Sequence, residues 1–305
     1  MKIAYELPEK TLTNDELVHI YPEWTTEKIF SKTGIFSRHV VSAGETALDL
    51  AERAAKKLLT GYSVPAEEIG FLLLCTQSSE YRLPSTACLL QKRLGLPSTI
   101  GAVAFDHGCS GFIYGLSLAK GLIAGGMVKK VLLVTAETYT RYISPEDKST
   151  KSIFGDGAAA TLLDESVASK IGGFSFGTDG SGAEKLIVRD DKLFMDGPDI
   201  FNFTLDVVPR TMEDVLSKNN LKRDDIDLFV FHQANKFMLD TIRKVNVLPR
   251  DKFYVNLENT GNTVSSTIPI ALKQLDESGR LQSGMKVMLM GFGVGLSWGA
   301  TVVTI

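Results

Sequence analysis

Apolar residues in the first half of the chain fall into two alternating patterns. Short, nearly continuous apolar runs at Phe71–Cys75, Gly101–Phe105 and 131–137 alternate with stretches, about 86–94 and 109–124, where apolar positions recur every three or four residues. The runs predict strands buried on both faces and the periodic stretches predict helices, so the spacing implies a parallel or mixed sheet covered on both sides. Upstream, Leu48, Ala51, Ala55 and Leu58 give a helix over 47–59 one buried face. A helix capped at Thr13 or Asn14 precedes it, followed by Trp24 in a charged segment and a turn at Lys32-Thr33-Gly34-Ile35. After a tight turn at Phe154-Gly155-Asp156-Gly157 another strand is expected over 158–163, and the Gly- and Asp-rich stretch 171–199 reads as loops, short strands and a bridge. The pattern then restarts: helix 205–216, strand Leu228–Phe231, helix 235–245, strand 253–256, helix 264–275, and strands 287–291 and Ser297–Thr304. Order and spacing repeat at an offset of roughly 150 to 160 residues although the side chains hardly do, which indicates an internally duplicated α/β fold.

Composition narrows the functional classes. With 305 residues, 44% hydrophobic and 23% charged, the chain is long enough for one large core or two fused ones. A net charge of −3, with no basic block beyond local pairs such as Lys129-Lys130, offers no general attraction to nucleic acid or an anionic membrane. The N-terminus lacks a signal-peptide apolar core and no apolar run reaches membrane-spanning length, so a cytoplasmic protein is expected. The three cysteines, Cys75, Cys88 and Cys109, are odd in number and lack metal-ligand spacing with the four histidines, which indicates neither disulfides nor a metal site.

One cysteine has a chemical setting. In Phe105-Asp106-His107-Gly108-Cys109-Ser110-Gly111-Phe112 it sits between a buried strand and a helix, where free N–H groups and the helix dipole favour a thiolate. Taken alone, Cys109 is equally a small residue packing a helix start. His232, where a strand gives way to a helix, reads alone as a structural histidine, and Asn262, in Asn259-Thr260-Gly261-Asn262-Thr263, as a loop residue or cap. On the duplicated register all three fall at strand ends, where open α/β sheets form their ligand crevice. Together they suit thioester chemistry: a thiolate accepts an acyl group, and an imidazole and an amide donate hydrogen bonds to a carbonyl gaining negative charge. The segment Gly291-Phe292-Gly293-Val294-Gly295-Leu296-Ser297-Trp298-Gly299 leads into a strand rather than the helix a nucleotide loop needs, so it is read as part of an oxyanion hole.

Gly108-Cys109-Ser110-Gly111-Phe112, Ile153-Phe154-Gly155-Asp156-Gly157-Ala158, His232-Gln233-Ala234-Asn235, Gly261-Asn262-Thr263 and the segment 291–299, in this order, resemble β-ketoacyl-acyl-carrier-protein synthase III over nearly the whole length. The resemblance implies a thiolase fold of two α/β halves layered α-β-α-β-α, with residues 1–170 carrying the nucleophile and 171–305 the histidine and asparagine. It implies a homodimer and a Cys109, His232, Asn262 triad. Cys109 would take an acyl group from a coenzyme A thioester; His232 and Asn262 would then hold malonyl-acyl-carrier protein as it loses carbon dioxide and condenses to a 3-oxoacyl product, as in fatty acid biosynthesis. The backbone N–H groups of Cys109 and Val294 would form the oxyanion hole, with Phe292 beside the cysteine. No cofactor is held permanently, the substrates being borne on coenzyme A and phosphopantetheine.

Several positions depart from the family pattern. Lys32 and Lys148 stand where arginines commonly surround the coenzyme A nucleotide, and Phe237 where an arginine lines the tunnel mouth. Trp24 resembles the adenine-stacking tryptophan, Asn235 joins the substrate-binding set, and Leu83 replaces a phenylalanine that reaches into the partner subunit's acyl pocket. With the arginines gone, a carrier-protein donor is expected to compete well with acyl-coenzyme A. Lys236, Arg243 and Lys244 supply a basic patch for an acidic carrier protein. Two other readings stay open: an acyltransferase passing the acyl group to an alcohol or amine without condensation, and an inactive subunit supporting an active partner.

Overall fold

The apolar runs pair as their composition demands. A computed structural model describes residues 1–305. Its five-stranded sheet is ordered Lys2–Glu6, Gly157–Asp164, Lys130–Glu137, Phe71–Cys75, Gly101–Phe105, and its four-stranded sheet is ordered Ile171–Thr178, Ser297–Thr304, Lys286–Gly293, Leu228–Phe231. Read in these orders, both sheets show antiparallel, antiparallel, then parallel pairing. The parallel pair Phe71–Cys75 and Gly101–Phe105 ends the first sheet. Its counterpart in the second is a single parallel bridge between Phe229 and Phe253. The expected strand over 253–256 thus shrinks to one bridge, because the Asn256 N–H donates to the Gln233 side chain (2.9 Å) instead of continuing the ladder.

Alternation along the strands sorts side chains into layers. Leu72 and Leu74 face the helix Ala47–Gly61, while Leu73 faces inward. Phe229 and Phe231 face the helices Gly197–Lys218 and Lys236–Val245, while Leu228 and Val230 face inward. Between the sheets lie Gly111–Ala124 and Thr267–Glu277, whose Phe112, Leu116, Ile268 and Leu272 pack in one cluster with Leu133 and Leu289. The result is five layers, α-β-α-β-α. Emptying one such position, as in Leu116→Ala, costs about 2–5 kcal/mol.

Some elements lacked a readable pattern. The sequence pattern does not mark the strand Lys2–Glu6 or the helix Thr26–Thr33, and the stretch 171–199, expected as loops, short strands and a bridge, contains the eight-residue strand Ile171–Thr178. Gly172-Gly173 disguise that strand; a Cβ at Gly172 would lie 2.0 Å from Asn219 Oδ1, which accepts from the Gly173 N–H. Helix 205–216 extends to Gly197–Lys218, capped by the Asp196 side chain.

A buried carboxyl joins the sheets. Glu137 accepts from the Gln77 N–H (3.1 Å), Ser78 Oγ (3.0 Å) and, from the other half, Ser265 Oγ (2.8 Å). Burial outweighs these donors and pushes Glu137 up from 4.5 to about 8. A folded value above the unfolded one means that its contribution to stability is complete below pH 4.5 and lost as pH rises through about 8. Melting temperature should therefore fall between pH 6 and 9 more steeply in the native protein than in Glu137→Gln, by roughly 2 °C or more. Parallel curves in thermal scans would refute this.

Candidate active site

Cys109 occupies the turn between Gly101–Phe105 and the helix Gly111–Ala124. The turn is pinned by the Gly111 N–H to the Gly108 carbonyl (2.7 Å) and by Ser110 Oγ to Ser297 Oγ (2.7 Å). The strand Lys286–Gly293 passes so close that a Cβ at Gly291 would lie 2.6 Å from the Cys109 carbonyl, and one at Gly293 2.8 Å from its Sγ. Only glycine fits at either place. The backbone N–H groups of Val294 and of Cys109 itself point to Sγ and favour its charged form, but burial outweighs them and pushes the thiol up to about 12. The expected thiolate is thus corrected: desolvation wins over the helix start, and the resting site holds a neutral thiol.

His232 follows Leu228–Phe231, its N–H donating to the Met290 carbonyl (2.8 Å). Burial pushes its imidazole down to about 3, so the ring is neutral. Its Nδ1 lies 2.7 Å from Thr267 Oγ1 and its ring stands edge-on to Phe292, with centroids 5.8 Å apart. Asn262 is held by its main chain, donating to the Ile153 carbonyl (2.9 Å) and accepting from the Gly155 N–H (3.0 Å). Its Oδ1 accepts from the Val264 N–H (2.9 Å), which leaves the amide NH₂ as the free donor. Cys109, His232 and Asn262, distant in sequence, line one chamber of about 100 Å³ with Phe154, Ala234 and Phe292. Neutral groups in such a mostly apolar chamber suit transfer at a polarised carbonyl.

The chamber adjoins a cavity of about 590 Å³, with Ile153, Gly197, Asn235 and Met238 lining both, that reaches Trp24, Lys32 and Phe237. Asn235 caps the helix Lys236–Val245 through Met238 N–H (2.9 Å). Lys148 stands beside this cavity, 5.6 Å from the Trp24 ring and bonded to Glu23 (2.5 Å). On the far side, past Val294, a cavity of about 300 Å³ is lined by Gln77, Tyr139, Leu186 and Leu193, and the Tyr139 hydroxyl donates to Gln77 Oε1 (2.5 Å). Leu83 lines neither chamber nor cavities and is 82% exposed. Of the basic residues, Lys236 is half-buried over Phe30, Arg243 donates to the Leu248 carbonyl (3.2 Å), and Lys244 is exposed. Thr267, Val264 and Gln77 carried no sequence signal: hydroxyls and amides at helix starts and strand ends read as caps.

A five-layered α/β fold with a buried cysteine, histidine and asparagine meeting at strand ends is that of the thiolase-fold condensing enzymes. The family described as 3-oxoacyl-[acyl-carrier-protein (ACP)] synthase III matches residues 105–180, and its C-terminal counterpart matches residues 216–305. The chain is 36% identical to the β-ketoacyl-[acyl-carrier-protein] synthase III of Clostridium perfringens, covering 96% of this chain and 95% of that protein. It is 37% identical to that of Xanthomonas euvesicatoria pv. vesicatoria, covering 97% and 94%. A crystal structure of a 3-oxoacyl-(acyl-carrier-protein) synthase III superposes with a TM-score of 0.96 at 46% identity, over 99% of this chain and 98% of that one. The chain belongs to the β-ketoacyl-acyl-carrier-protein synthase III family.

A neutral resting thiol sets the alkylation profile. The rate of Cys109 modification by iodoacetamide should rise about tenfold per pH unit from 7 to 9 without levelling off. Peptide mass mapping separates it from the exposed Cys88. A plateau below pH 8 would restore the thiolate.

Proposed function

We propose that this chain condenses an acyl-coenzyme A with malonyl-acyl-carrier protein by a decarboxylative Claisen reaction. The observation that carries the reading is the single chamber in which Sγ with two N–H donors meets a neutral imidazole and a free amide donor. The Cys109 sulfur attacks the acyl carbonyl, the oxyanion rests on the Cys109 and Val294 N–H groups, and the thiol proton leaves with the coenzyme A sulfur. Malonyl-acyl-carrier protein then enters by the same route. As its carboxylate departs as carbon dioxide, the electron pair passes to the thioester oxygen held by His232 and Asn262. The enolate carbon attacks the acyl-cysteine, the C–S bond breaks, and one proton from solvent restores the thiol. Donors act more strongly in a buried, mostly apolar chamber than in bulk water.

Other features assign the remaining roles. The pantetheine arm runs through the cavity between Asn235 and Trp24, and the acyl chain points past Val294 toward Leu186 and Leu193. Lys148, already paired with Glu23, offers the coenzyme A phosphates a weakened charge, which supports a carrier-borne donor as a competitor. Lys244 is the exposed basic residue on the helix that could meet an acidic carrier protein. For assembly, Gly101–Phe105 is a sheet edge bonded on one side only, and Val103, Leu118, Phe176 and Leu83 are exposed apolar residues; an open edge of this kind favours a homodimer. Acyl transfer without condensation leaves the Asn262 donor unused, so it is the weaker reading. No helix is long and apolar enough to cross a membrane.

Two outcomes test this. With acetyl-coenzyme A alone, intact-mass measurement should find one acetyl group on the native protein and on Asn262→Ala, and none on Cys109→Ala. Carbon dioxide release from malonyl-acyl-carrier protein should fall at least about a hundredfold in Asn262→Ala; normal release would favour acyl transfer to another acceptor. In the donor site, Lys32→Arg/Lys148→Arg should raise acylation from acyl-coenzyme A, relative to the matched acyl-carrier protein, by about tenfold. An unchanged ratio would mean that the lysines serve as well as arginines.

A further inference from the structure

The cavity past Val294, which the function proposed above gives to the acyl chain, is not walled by apolar groups alone. Leu186, Ile187 and Leu193 line it together with Gln77 and Tyr139. A plain hydrocarbon chain needs only the first three. Tyr139 is buried, and its hydroxyl donates to Gln77 Oε1 (2.5 Å). The Gln77 main chain is tied as well, its N–H donating to Glu137 (3.1 Å), so the residue is held at both ends. A glutamine carries two N–H donors in its side chain, and here no group of the chain accepts from either.

The pair stands close to the nucleophile. A Cβ on Gly108 would lie 2.6 Å from Gln77 Oε1 and 3.3 Å from the Tyr139 hydroxyl, so both rest against the residue next to Cys109. Consecutive Cα atoms are about 3.8 Å apart, which places the pair level with the first few carbons of a chain carried on Sγ.

Proton counting then defines what fits. With Tyr139 donating to Oε1, the amide donates into the cavity and the tyrosine oxygen keeps a lone pair to accept with. With the amide turned over, Nε2 donates to the tyrosine oxygen, the tyrosine proton points into the cavity and Oε1 accepts. Either way the pair offers one donor and one acceptor side by side. A methyl group against it leaves both unpaired, a carbonyl oxygen satisfies the donor alone, and a hydroxyl satisfies both. A carboxylate is disfavoured by charge, because Asp106 lines the same cavity.

We propose that Gln77, with Tyr139, is a specificity-determining residue that selects an acyl donor carrying a hydroxyl on its third or fourth carbon, the thioester carbonyl being the first. The hydroxyl takes no part in bond making. The carbonyl carbon leaves the sulfur of coenzyme A for Sγ of Cys109, and the thiol proton goes to the departing thiolate.

The test uses donors that differ only by hydroxyl for methyl: 3-hydroxybutyryl- against 3-methylbutyryl-coenzyme A, and 4-hydroxybutyryl- against pentanoyl-coenzyme A, with Cys109 acylation timed by intact mass. In at least one pair the native protein should take the hydroxylated donor at least about threefold faster, and Gln77→Leu should bring that ratio to about one or below. Each ratio is taken within one protein, so a general loss of activity in the variant cancels. Native ratios below threefold in both pairs, or a ratio that Gln77→Leu leaves unchanged, would overturn the proposal; if Gln77→Leu does not fold, the native ratios alone decide. Should acetyl-coenzyme A acylate Cys109 while neither pair shows the preference, this inference fails and the proposed function stands. Should no donor acylate Cys109, the proposed function fails, and calorimetric affinities of the same pairs for Cys109→Ala decide for the cavity: tighter binding of a hydroxylated member supports the role of Gln77, and equal or weaker binding in both pairs overturns it.

Discussion

Two main-chain hydrogen bonds across the seam between the sheets, Asn262 N–H to the Ile153 carbonyl and Gly155 N–H to the Asn262 carbonyl, fix where chemistry can occur. They bring a loop of the second half against a turn of the first, and both flanks of that turn are braced. Asp156 accepts from the Val41 N–H (2.8 Å) and the Thr140 N–H (3.1 Å). Behind it the fully buried Arg38 donates to the carbonyls of Leu12 (3.0 Å) and Ser152 (2.8 Å) and to Asn14 Oδ1 (2.9 Å), with no carboxylate bonded to it. Burial lowers that guanidinium to about 10. A charge kept in the interior is costly, and although Arg38 Nε finds no partner, the bonds of its two terminal nitrogens hold the segment that holds Asn262.

Burial also governs reactivity. A thiol near 12 beside an imidazole near 3 forms no ion pair at rest. On the function proposed above, Cys109 is therefore silent until a thioester carbonyl reaches its own N–H group and that of Val294. A protein that must store no reactive thiolate, yet stabilise an oxyanion strongly, is served by one arrangement, because exclusion of water weakens the first and strengthens the second.

The fold was legible wherever burial leaves a period in the sequence. Phe71–Cys75 and Ser297–Thr304 show one because they are central strands, whereas Gly101–Phe105, expected as a strand buried on both faces, is a half-buried edge strand with Val103 exposed. Lys2–Glu6 and Ile171–Thr178 are edge strands, and the glycines of the second leave no apolar alternation to find. Cys109, His232 and Asn262 were legible because their motifs recur in order. The charge state of Cys109 was not, since it depends on how tightly Lys286–Gly293 closes over the sulfur, which sequence spacing does not carry. Thr267, Val264 and Gln77 stayed hidden for a related reason: a hydroxyl, a main-chain N–H and an amide acquire meaning only from the group they face. Leu83 is exposed and lines none of the cavities described, so the role expected of it has no counterpart within this chain.

The central layer has a bearing on ancestry. Gly111–Ala124 and Thr267–Glu277 come from different halves, yet each buries its apolar face against the other half as well as its own. A single half set free would expose one side of its inner helix to water. The repeated strand order and pairing point to descent from one gene copied in tandem, and the product of that single gene could have hidden its helix only by pairing with itself.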